Sequence, residues 1–540
     1  MKYIYKITLS VLGAVMVLSA HAQMNPKVKL QEALKLIQDN YVDQVKDERL
    51  VDAAITAMVS DLDPHSRYTS REEAEAMNQA MSGSFAGIGI QFLVVNDSTF
   101  VTRVNPDGPA AKAGLRLGDR IMKIDQQAIF GKGMKNQQVM LLLRGEKGKE
   151  VLLEVMHEGA LEPVQIRITR ELIADLSIRA SYMVDKEIGY ISLGIFSEST
   201  RREMDAALKK LKEQGMKKLI LDLQGNGGGY VQAAIGVADE FLAKESLVFY
   251  SVGHDRGKDH YATGGFGQFM QGNLVVMIDE STASSSEIVT GALQDWDRAV
   301  VIGRRSFGKG LMQKPLVMTD GSVLQLTGAR YYTPSGRSIQ KSYVKGKADY
   351  YEDFHRRLAS GELREEGHFS FPDSLKFRTL KNKRLVYGGG GIMPDRFIPI
   401  DSNEYSTWMA NVMNSGLVTK SSFDFVQSNR AKLLKEYPDF SAFNSSFTVD
   451  EVMLDELLLR AATRYKGVPA TSDVSAKKTL AVEVKAEMAT LLYTGRDFQL
   501  RVRNEANGSF LAAVNVLKDQ SLYNQLLTGK GKLQNNKRDK

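Results

Sequence analysis

The sequence contains no cysteine among its 540 residues and only seven histidines. Without cysteine the chain can form no disulfide, no thiolate nucleophile and no cysteine-bound zinc or iron–sulfur site. None of the histidines stands at a spacing typical of a metal site, and neither a G-x-S-x-G elbow nor an H-E-x-x-H motif occurs. Spacing does not exclude a Ser-His-Asp site, but no pattern indicates one.

Charge of one sign is not in strong excess either. Lysine and arginine number 71 against 64 aspartates and glutamates, and no dense basic stripe favours nucleic acid as a partner. The 25% of charged and 43% of hydrophobic residues are ordinary for a soluble globular protein, and the length predicts about three or four domains. The glycine run 225–229 has the position of a phosphate loop but lacks the Lys-Ser/Thr ending of a Walker A motif.

Long hydrophobic runs are confined to the N-terminus. Two lysines precede the almost wholly apolar residues 7–20, and Ala20-His21-Ala22 then supplies the small residues that a signal peptidase recognises. A membrane anchor is the alternative, but it needs about 20 apolar residues and this run is shorter. We therefore interpret residues 1–22 as a secretory signal. We expect an exported chain, periplasmic or otherwise extracytoplasmic, that could lie against a membrane but has no stable membrane span once the signal is removed.

The rest of the chain divides into four regions of different character. Residues 23–82 show the apolar spacing of amphipathic helices, and residues 83–172 predict a small β-rich module. Strand-like and helical runs alternate in residues 173–400, which predicts a largely parallel sheet covered by helices, with a charged insert at 343–386. Residues 401–540 are predicted to be mostly helical.

One pairing of residue types offers a nucleophile and a base. The serine-rich run 281–288 follows a strand-like segment, and Phe307-Gly308-Lys309-Gly310 lies downstream. A serine hydroxyl needs a base to take its proton, and lysine can be that base only when its ammonium is desolvated. Residue pattern alone leaves a second interpretation open, in which Ser284 and Glu287 form a capping box and Lys309 is a solvated turn residue.

Three consecutive segments resemble the carboxy-terminal processing peptidases, also called tail-specific proteases. They are STASSSEI at 281–288, GALQDWDRAVVIG at 291–303 and FGKGLMQ at 307–313. DLQGNGGG at 222–229 and DPHS at 63–66 are similar to further blocks of that family, and the likeness covers roughly residues 28–400 in order. Gln224 departs from the arginine usual in the family, so a salt bridge that supports its loop could be absent.

The resemblance implies a fold and a set of roles. It implies a crotonase/ClpP-like α/β core with an inserted PDZ domain, and a serine–lysine dyad that needs no metal or organic cofactor. In that family the serine pairs with a lysine 25 residues later, which selects Ser284 as the nucleophile and Lys309 as the general base. Gln313 would orient the lysine amine, and the Gly228 and Ser285 N–H groups would form the oxyanion hole.

The module at 83–172 resembles the PDZ domain of the same family. Such domains add a peptide strand to a sheet edge and hold its terminal carboxylate with backbone N–H groups. We expect the carboxylate loop at Phe85, Gly87, Ile88, Gly89 and Ile90. Either Leu117 or Ile121 would lie beside an apolar pocket there, although both could equally fill the core of the module.

The function expected from these observations is that of an exported serine endopeptidase. It would cleave proteins near or from their C-termini, and its partners would be protein or peptide substrates with free C-termini, not nucleic acid. A non-catalytic protein of the same fold that binds peptides or hydrophobic ligands is the alternative. Residues 401–540 lie outside the resemblance and could form a homodimer or dock an adaptor.

Overall fold

The computed structural model describes residues 25–95, 97–368, 371–401 and 406–529. The expected signal sequence and the basic tail after Gly529 lie outside the described residues. The chain divides into two compact units, Met1–Ser70 with Pro315–Leu326 and Arg71–Lys314 with Thr327–Lys540.

The first unit contains the predicted N-terminal helices. They are α1 (Pro26–Asn40) and α2 (Asp47–Ser60), and a short strand β1 (Arg67–Thr69) follows them. The Tyr68 hydroxyl donates to Asp52 Oδ1 at 2.7 Å, which ties the strand to α2. Strand β1 pairs antiparallel with residues 323–325 of the same unit.

The β-rich module opens the second unit. Its elements are α3 (Arg71–Met81), β2 (Ser84–Gly87), β3 (Ile90–Val95), β4 (Ser98–Val104), α4 (Pro109–Lys112), β5 (Arg120–Ile124), β6 (Gln127–Ala128), α5 (Asn136–Leu143), β7 (Glu150–Met156), β8 (Val164–Thr169) and β9 (Glu171–Ala174). The sheet order is β3-β4-β5-β7-β8, with β6 beside β5, and β2 pairs separately with β9. Ile121 is fully buried in the core of this module, so it fills the core and does not line a pocket.

The α/β region follows. Its elements are β10 (Ile178–Met183), β11 (Ile188–Leu193), α6 (Thr200–Glu213), β12 (Lys218–Asp222), α7 (Val231–Asp239), β13 (Leu247–Gly253), β14 (Lys258–Ala262), β15 (Asn273–Ile278), α8 (Ser285–Asp295), β16 (Val300–Gly303), β17 (Leu311–Val317), β18 (Val323–Tyr332), α9 (Lys347–Tyr351), α10 (Asp353–Ala359), β19 (Lys376–Arg378), β20 (Leu385–Tyr387) and β21 (Arg396–Phe397). The main sheet has the order β10-β11-β12-β15-β16-β21. Its strands are parallel from β11 to β21 and only β10 is antiparallel, which confirms the predicted largely parallel sheet.

The C-terminal region is helical, as the sequence predicted. Its helices are α11 (Thr407–Asn414), α12 (Leu417–Glu436), α13 (Phe440–Ser446), α14 (Glu451–Ala462), α15 (Val474–Leu492), α16 (Phe498–Asn504), α17 (Gly508–Lys518) and α18 (Gln520–Thr528). Helices α11 to α16 share a core around Phe443, Leu457 and Val484. None of the helices in the described ranges combines the length and hydropathy needed to cross a membrane.

The two faces of the main sheet are covered by helices from different parts of the chain. On one face Leu208, Val237 and Val289 of α6, α7 and α8 pack against the strands. On the other face Phe510 and Val516 of α17 pack on the sheet together with Tyr523 of α18. Ligands of open parallel sheets bind beyond the carboxyl ends of the strands, and the loops that follow β12 and β15 lie at that edge.

Candidate active site

Ser284 lies at the junction between β15 and α8. Its backbone has φ 56° and ψ −117°, a conformation that is uncommon for a residue with a side chain. Such strain persists only where the surrounding structure imposes it, and it is concentrated at functional sites. A serine in a strained strand-to-helix turn presents its hydroxyl outward, as in the nucleophile elbow of other hydrolases. The side chain of Ser284 is half-buried.

The carboxylate of Glu287 joins the serine segment to the lysine segment. Its Oε2 accepts hydrogen bonds from the backbone N–H groups of Ser284 at 2.9 Å and of Lys309 at 2.8 Å. Its Oε1 accepts from Gly308 N at 2.7 Å and from the Ser306 hydroxyl at 2.5 Å. One carboxylate therefore brings the backbones of the predicted nucleophile and base against the same oxygen atom.

Tyr331 makes a second connection between the same two residues. Its hydroxyl lies 2.8 Å from the carbonyl oxygen of Lys309 and 3.3 Å from that of Ser284. The ring is almost fully buried, and its backbone N–H donates to Gly310 O at 3.0 Å. Burial, with the charge of Glu287 as a further cause, raises the pKa of Tyr331 well above its usual value, so the hydroxyl keeps its proton and remains a donor.

Burial also raises the pKa of Glu287, while its four hydrogen bonds act in the opposite direction. All four partners are donors, so the ionised carboxylate satisfies every one of them. The sequence predicted Glu287 only as the far end of a capping box. That bond to Ser284 N–H exists, and the bonds to the Phe307–Gly310 segment are an addition that only the folded chain reveals.

The glycine-rich loop after β12 lies directly against Ser284. A Cβ atom built on Gly228 would lie 2.7 Å from Ser284 Cβ, and φ at Gly228 is 104°, so only glycine fits this position. The buried Asn226 fastens the loop, because its carbonyl oxygen accepts from Ala283 N at 3.0 Å and from the Ser286 hydroxyl at 2.9 Å. Its side-chain amide donates to Leu193 O at 2.8 Å.

The two predicted oxyanion donors differ in whether their N–H group already has a hydrogen-bond acceptor. The N–H of Ser285, the first amide of α8, meets no acceptor in the described part of the chain. The N–H of Gly228 donates to Asn226 Oδ1 at 2.9 Å. The Gly228 amide can therefore reach a substrate oxygen only by sharing or exchanging that partner.

Gln313 lies on β17, four residues after Lys309. Its side chain is half-buried, and Nε2 lies 3.3 Å from the Thr327 hydroxyl. Its role towards the lysine amine stays a prediction. Sequence reasoning did not single out Asn226 or Tyr331, and Tyr331 lies in β18, more than 20 residues after both residues that it joins.

The unusual Gln224 contacts the helical region. Its Oε1 accepts from Asn507 Nδ2 at 3.1 Å. Beside it, the buried Asp222 carboxylate accepts from the Tyr190 hydroxyl at 2.6 Å and from Gln224 N at 2.9 Å. Burial is the main cause that raises the pKa of Asp222 to about 6. Asn507, the residue before α17, therefore supports the glycine loop from the side of the helical region.

The predicted carboxylate loop of the β-rich module lines a cavity of about 590 Å³. All five expected residues, Phe85, Gly87, Ile88, Gly89 and Ile90, contribute to its wall. Arg144 lies over the Phe85 ring, with 4.4 Å between its guanidinium carbon and the ring centroid. Leu117 lines a separate cavity of about 260 Å³.

Metal ligands are not assembled anywhere in the described ranges. No group of three or more histidine, aspartate or glutamate side chains there could hold a metal ion.

Four family models match consecutive parts of the chain. Peptidase family S41 matches residues 187–349 and a PDZ domain matches residues 86–168. The N-terminal domain of the activating protease CtpB matches residues 16–73, and a family of unknown function matches residues 408–495.

Curated relatives resemble the chain over more than half of its length. A carboxy-terminal-processing protease of Bartonella bacilliformis is 37% identical over 313 residues, which are 56% of this chain and 70% of the relative. The chain belongs to the carboxy-terminal-processing protease family. It is a serine protease with a PDZ domain that acts near the C-termini of its substrates, and the binding-protein alternative is not favoured.

Further relatives are more distant. Probable CtpA-like serine proteases of Staphylococcus aureus are 33% identical over 322 residues, which are 59% of this chain and 63% of each relative. A solved photosystem II D1 C-terminal processing protease is 28% identical, with a TM-score of 0.34, over 57% of this chain and 89% of that protein.

Proposed function

We propose that this family member is an exported endopeptidase with a serine–lysine dyad, in which Ser284 is the nucleophile and Lys309 the general base. The observation that carries this assignment is the pair of links between the two residues, through the Glu287 carboxylate to their N–H groups and through the Tyr331 hydroxyl to their carbonyl oxygens. Both links contact backbone atoms of Ser284 and Lys309, so they position the two residues independently of the conformations of their side chains.

The chemistry follows the usual course of acyl transfer. Ser284 Oγ attacks the peptide carbonyl carbon while the neutral Lys309 amine accepts the hydroxyl proton. The resulting ammonium then donates that proton to the leaving amine, and the peptide C–N bond breaks. Water attacks the ester carbonyl with Lys309 again as the base, which releases the new C-terminus and restores the serine. Gln313, which lies on β17 four residues after Lys309, is assigned to orientation of the lysine amine.

The oxyanion of the tetrahedral intermediate would be held by Ser285 N–H and Gly228 N–H. The free amide of Ser285 and the close approach of Gly228 to Ser284 support this assignment. Donors already in place when charge develops are worth about 3 kcal/mol each. Because Asn226 Oδ1 accepts from the Gly228 N–H, the substrate oxygen would compete with it for this donor.

The same proposal includes the fold of the catalytic core, the domain boundaries and the cellular location. The region 173–400 would have a crotonase/ClpP-like core, with domain boundaries at residues 82, 172 and 400 and an insert at 343–386. The apolar N-terminal run would direct export to the periplasm or another extracytoplasmic space. Homodimer formation or adaptor docking through residues 401–540 stays a prediction.

The PDZ domain would select substrates by their free C-terminus. The cavity at Phe85–Ile90 and the Arg144 guanidinium beside it support capture of a carboxylate. Strand β3 lies at the edge of its sheet, where a peptide strand can be added.

The dyad is tested with an unfolded protein substrate and purified single variants. We expect Ser284→Ala and Lys309→Ala each to lower kcat by about 10³-fold or more, since the nucleophile or its base is lost. Lys309→Arg should be as inactive as Lys309→Ala, because a guanidinium keeps its proton.

Two matched variants control for damage to the fold. Ser281→Ala removes an exposed hydroxyl from the same loop, and Lys314→Ala removes an exposed lysine from the same strand as Gln313. Both should cleave at nearly the wild-type rate. Cleavage by Ser284→Ala or Lys309→Arg at the wild-type rate would refute the dyad.

A further inference from the structure

The cavity at the carboxylate loop has walls from two regions that are distant in sequence. One wall comes from β3 and α5 of the PDZ domain, including Phe92 and Leu143. The opposite wall comes from the C-terminal helices, including Thr490 and Leu491 of α15 and Gln499 of α16. A peptide that enters this groove therefore meets the helical region as well as the PDZ domain.

The two faces of β3 point to these two regions. Ile90 and Phe92 pack against the core of the PDZ domain, whereas Leu93 packs against the core of the C-terminal helices. The neighbouring strand repeats this contact, since the Phe100 ring lies 4.9 Å from the Phe423 ring of α12. Successive side chains of a strand alternate between faces, so Gln91 shares the helical-region face with Leu93.

A substrate strand beside β3 would alternate in the same way. With its carboxylate at the 87–90 loop, the last side chain would enter the groove towards Ile88 and α5, as the expected carboxylate recognition requires. The side chain before it would then point to the opposite face, where Gln91 is paired across the sheet with Arg103. The penultimate substrate residue is the one that meets the helical region.

Two guanidinium groups line the cavity on that face. Arg103 comes from β4 and Arg496 from the loop before α16, and neither has an ion-pair partner in the described part of the chain. Burial, followed by the like charge of Arg496, lowers the pKa of Arg103, so the two cations are close enough to repel each other.

The nearby carboxylates have cationic partners of their own. Asp497 accepts from Arg501 Nε at 2.6 Å and opposes the lowering of the Arg103 pKa only as the smallest of its three causes. Glu487 also lines the cavity; burial raises its pKa, and the Arg503 guanidinium is the cation that acts in the opposite direction. Two unpaired cations in one cavity favour an anionic ligand between them.

We propose that Arg103 and Arg496 form a second anion subsite, which selects substrates with an acidic side chain next to the C-terminal residue. The helical region is then part of the specificity site of the protease and not only a cover for its core. This inference rests on the proposed recognition of a free C-terminus by the PDZ domain.

The subsite is tested by fluorescence polarisation with the full-length chain carrying Ser284→Ala. The probes are fluorescein-labelled decapeptides that end in Glu-Val or in Gln-Val with a free carboxylate, and a Glu-Val peptide with an amidated C-terminus. We expect the Glu-Val acid to bind about tenfold more tightly than the Gln-Val acid, the size typical of a charge-assisted hydrogen bond. Arg496→Gln and Arg103→Gln should each reduce this preference to about twofold or less.

Arg464→Gln is the matched control. Arg464 is exposed in the same helical region and does not line the cavity, so its substitution changes the net charge equally and should keep the tenfold preference. Equal binding of the Glu-Val and Gln-Val acids, or an unchanged preference in both Arg496→Gln and Arg103→Gln, overturns the proposal.

The amidated peptide distinguishes the proposed acidic subsite from the proposed recognition of the C-terminal carboxylate. If amidation abolishes binding while the two acids bind alike, the acidic subsite is wrong and carboxylate recognition stands. If the amide binds as tightly as the acid and the preference for Glu still depends on Arg496, carboxylate recognition is wrong and the subsite stands.

Discussion

The candidate active site and the PDZ groove are built in opposite ways. The candidate active site is assembled from segments 222–229, 279–287 and 306–313. Short hydrogen bonds join backbone atoms of these segments to the buried side chains of Glu287 and Tyr331 and to the carbonyl oxygen of Asn226. The groove joins residues 85–144 to residues 419–499, and half-exposed side chains form most of its helical wall. The first arrangement tolerates little displacement, whereas the second can accept different peptides.

Apart from the dyad itself, the largest effect should come from the carboxylate that the serine and lysine segments share. Glu287→Gln replaces an acceptor of four hydrogen bonds by an amide with one acceptor oxygen, so at least one buried donor of the serine or lysine segment is left without a partner. We expect activity to fall by more than 100-fold and the free energy of unfolding to fall by about 3 kcal/mol.

Peptide hydrolysis and chemical denaturation measure these two quantities. Glu362→Gln breaks the ion pairs of an insert carboxylate with Arg305 and Arg357, and it serves as a control for loss of a largely buried carboxylate outside the Glu287 network. An active Glu287→Gln protein of normal stability would contradict the account of how the two segments are joined.

The PDZ domain and the helical region meet at a seam formed by Leu93, Phe100 and Phe423. Phe423→Ala removes a buried ring that packs on Phe100, and truncation of a buried phenylalanine costs about 3 kcal/mol. Because the seam also forms the groove wall, binding of a C-terminal peptide should weaken while an active-site acylating probe still labels Ser284. Loss of labelling together with binding would show that the two sites are less independent than their construction indicates.

The buried Asp222 carboxyl at the base of the glycine loop should make the stability of the candidate active site depend on pH. The pKa of Asp222 is raised to about 6 in the folded chain, above its value in the unfolded chain, so the folded state binds this proton more tightly. Stability should therefore fall as the pH rises from about 4 to 6, by roughly 2 to 3 kcal/mol for this group. Asp222→Asn should lose that part of the slope.

Denaturation at several pH values measures the slope in both proteins. Asp320→Asn is the control, since the pKa of that exposed carboxyl is lowered by its bonds to Ser322 and its contribution has the opposite sign. Equal slopes in the wild type and Asp222→Asn would contradict the assignment.

The smallest expected effect belongs to the tyrosine link. Tyr331→Phe keeps the buried ring and removes only the hydroxyl that contacts the Lys309 and Ser284 carbonyl oxygens. We expect a loss of about 1 kcal/mol in stability and a fall in kcat of about fivefold to tenfold, with little change in KM. A rise in KM with unchanged kcat would assign Tyr331 to substrate binding instead.

Local sequence was sufficient for the parallel sheet, the helical C-terminal region and the small β-rich module, because each depends on the spacing of apolar residues within one segment. It also placed Ser284 at the start of a helix, where the capping pattern indicates a strand-to-helix junction. It could not predict that the Glu287 carboxylate of that pattern would also bind the lysine segment, since a capping box explains the same residue types without any distant partner.

Ile121 illustrates the same limit within the PDZ domain. The alternation of apolar residues made it a candidate for the pocket or for the core, and only the packing of β5 against the rest of the sheet places it in the core. Gln224 shows the converse, because its departure from the family pattern indicated a missing contact and the fold supplies Asn507 from a region more than half the chain away.

The sequence by itself determined which residue types are available for the proposed chemistry, namely serine and lysine side chains in a chain whose lack of cysteine removes any thiolate alternative. Tertiary structure alone decided that the strained turn at Ser284, the Glu287 carboxylate and the Tyr331 hydroxyl converge, and that α15 and α16 face the PDZ groove. The physical reason is that hydrogen bonds and side-chain contacts depend on distance in space, which spacing along the chain predicts only within one helix or strand.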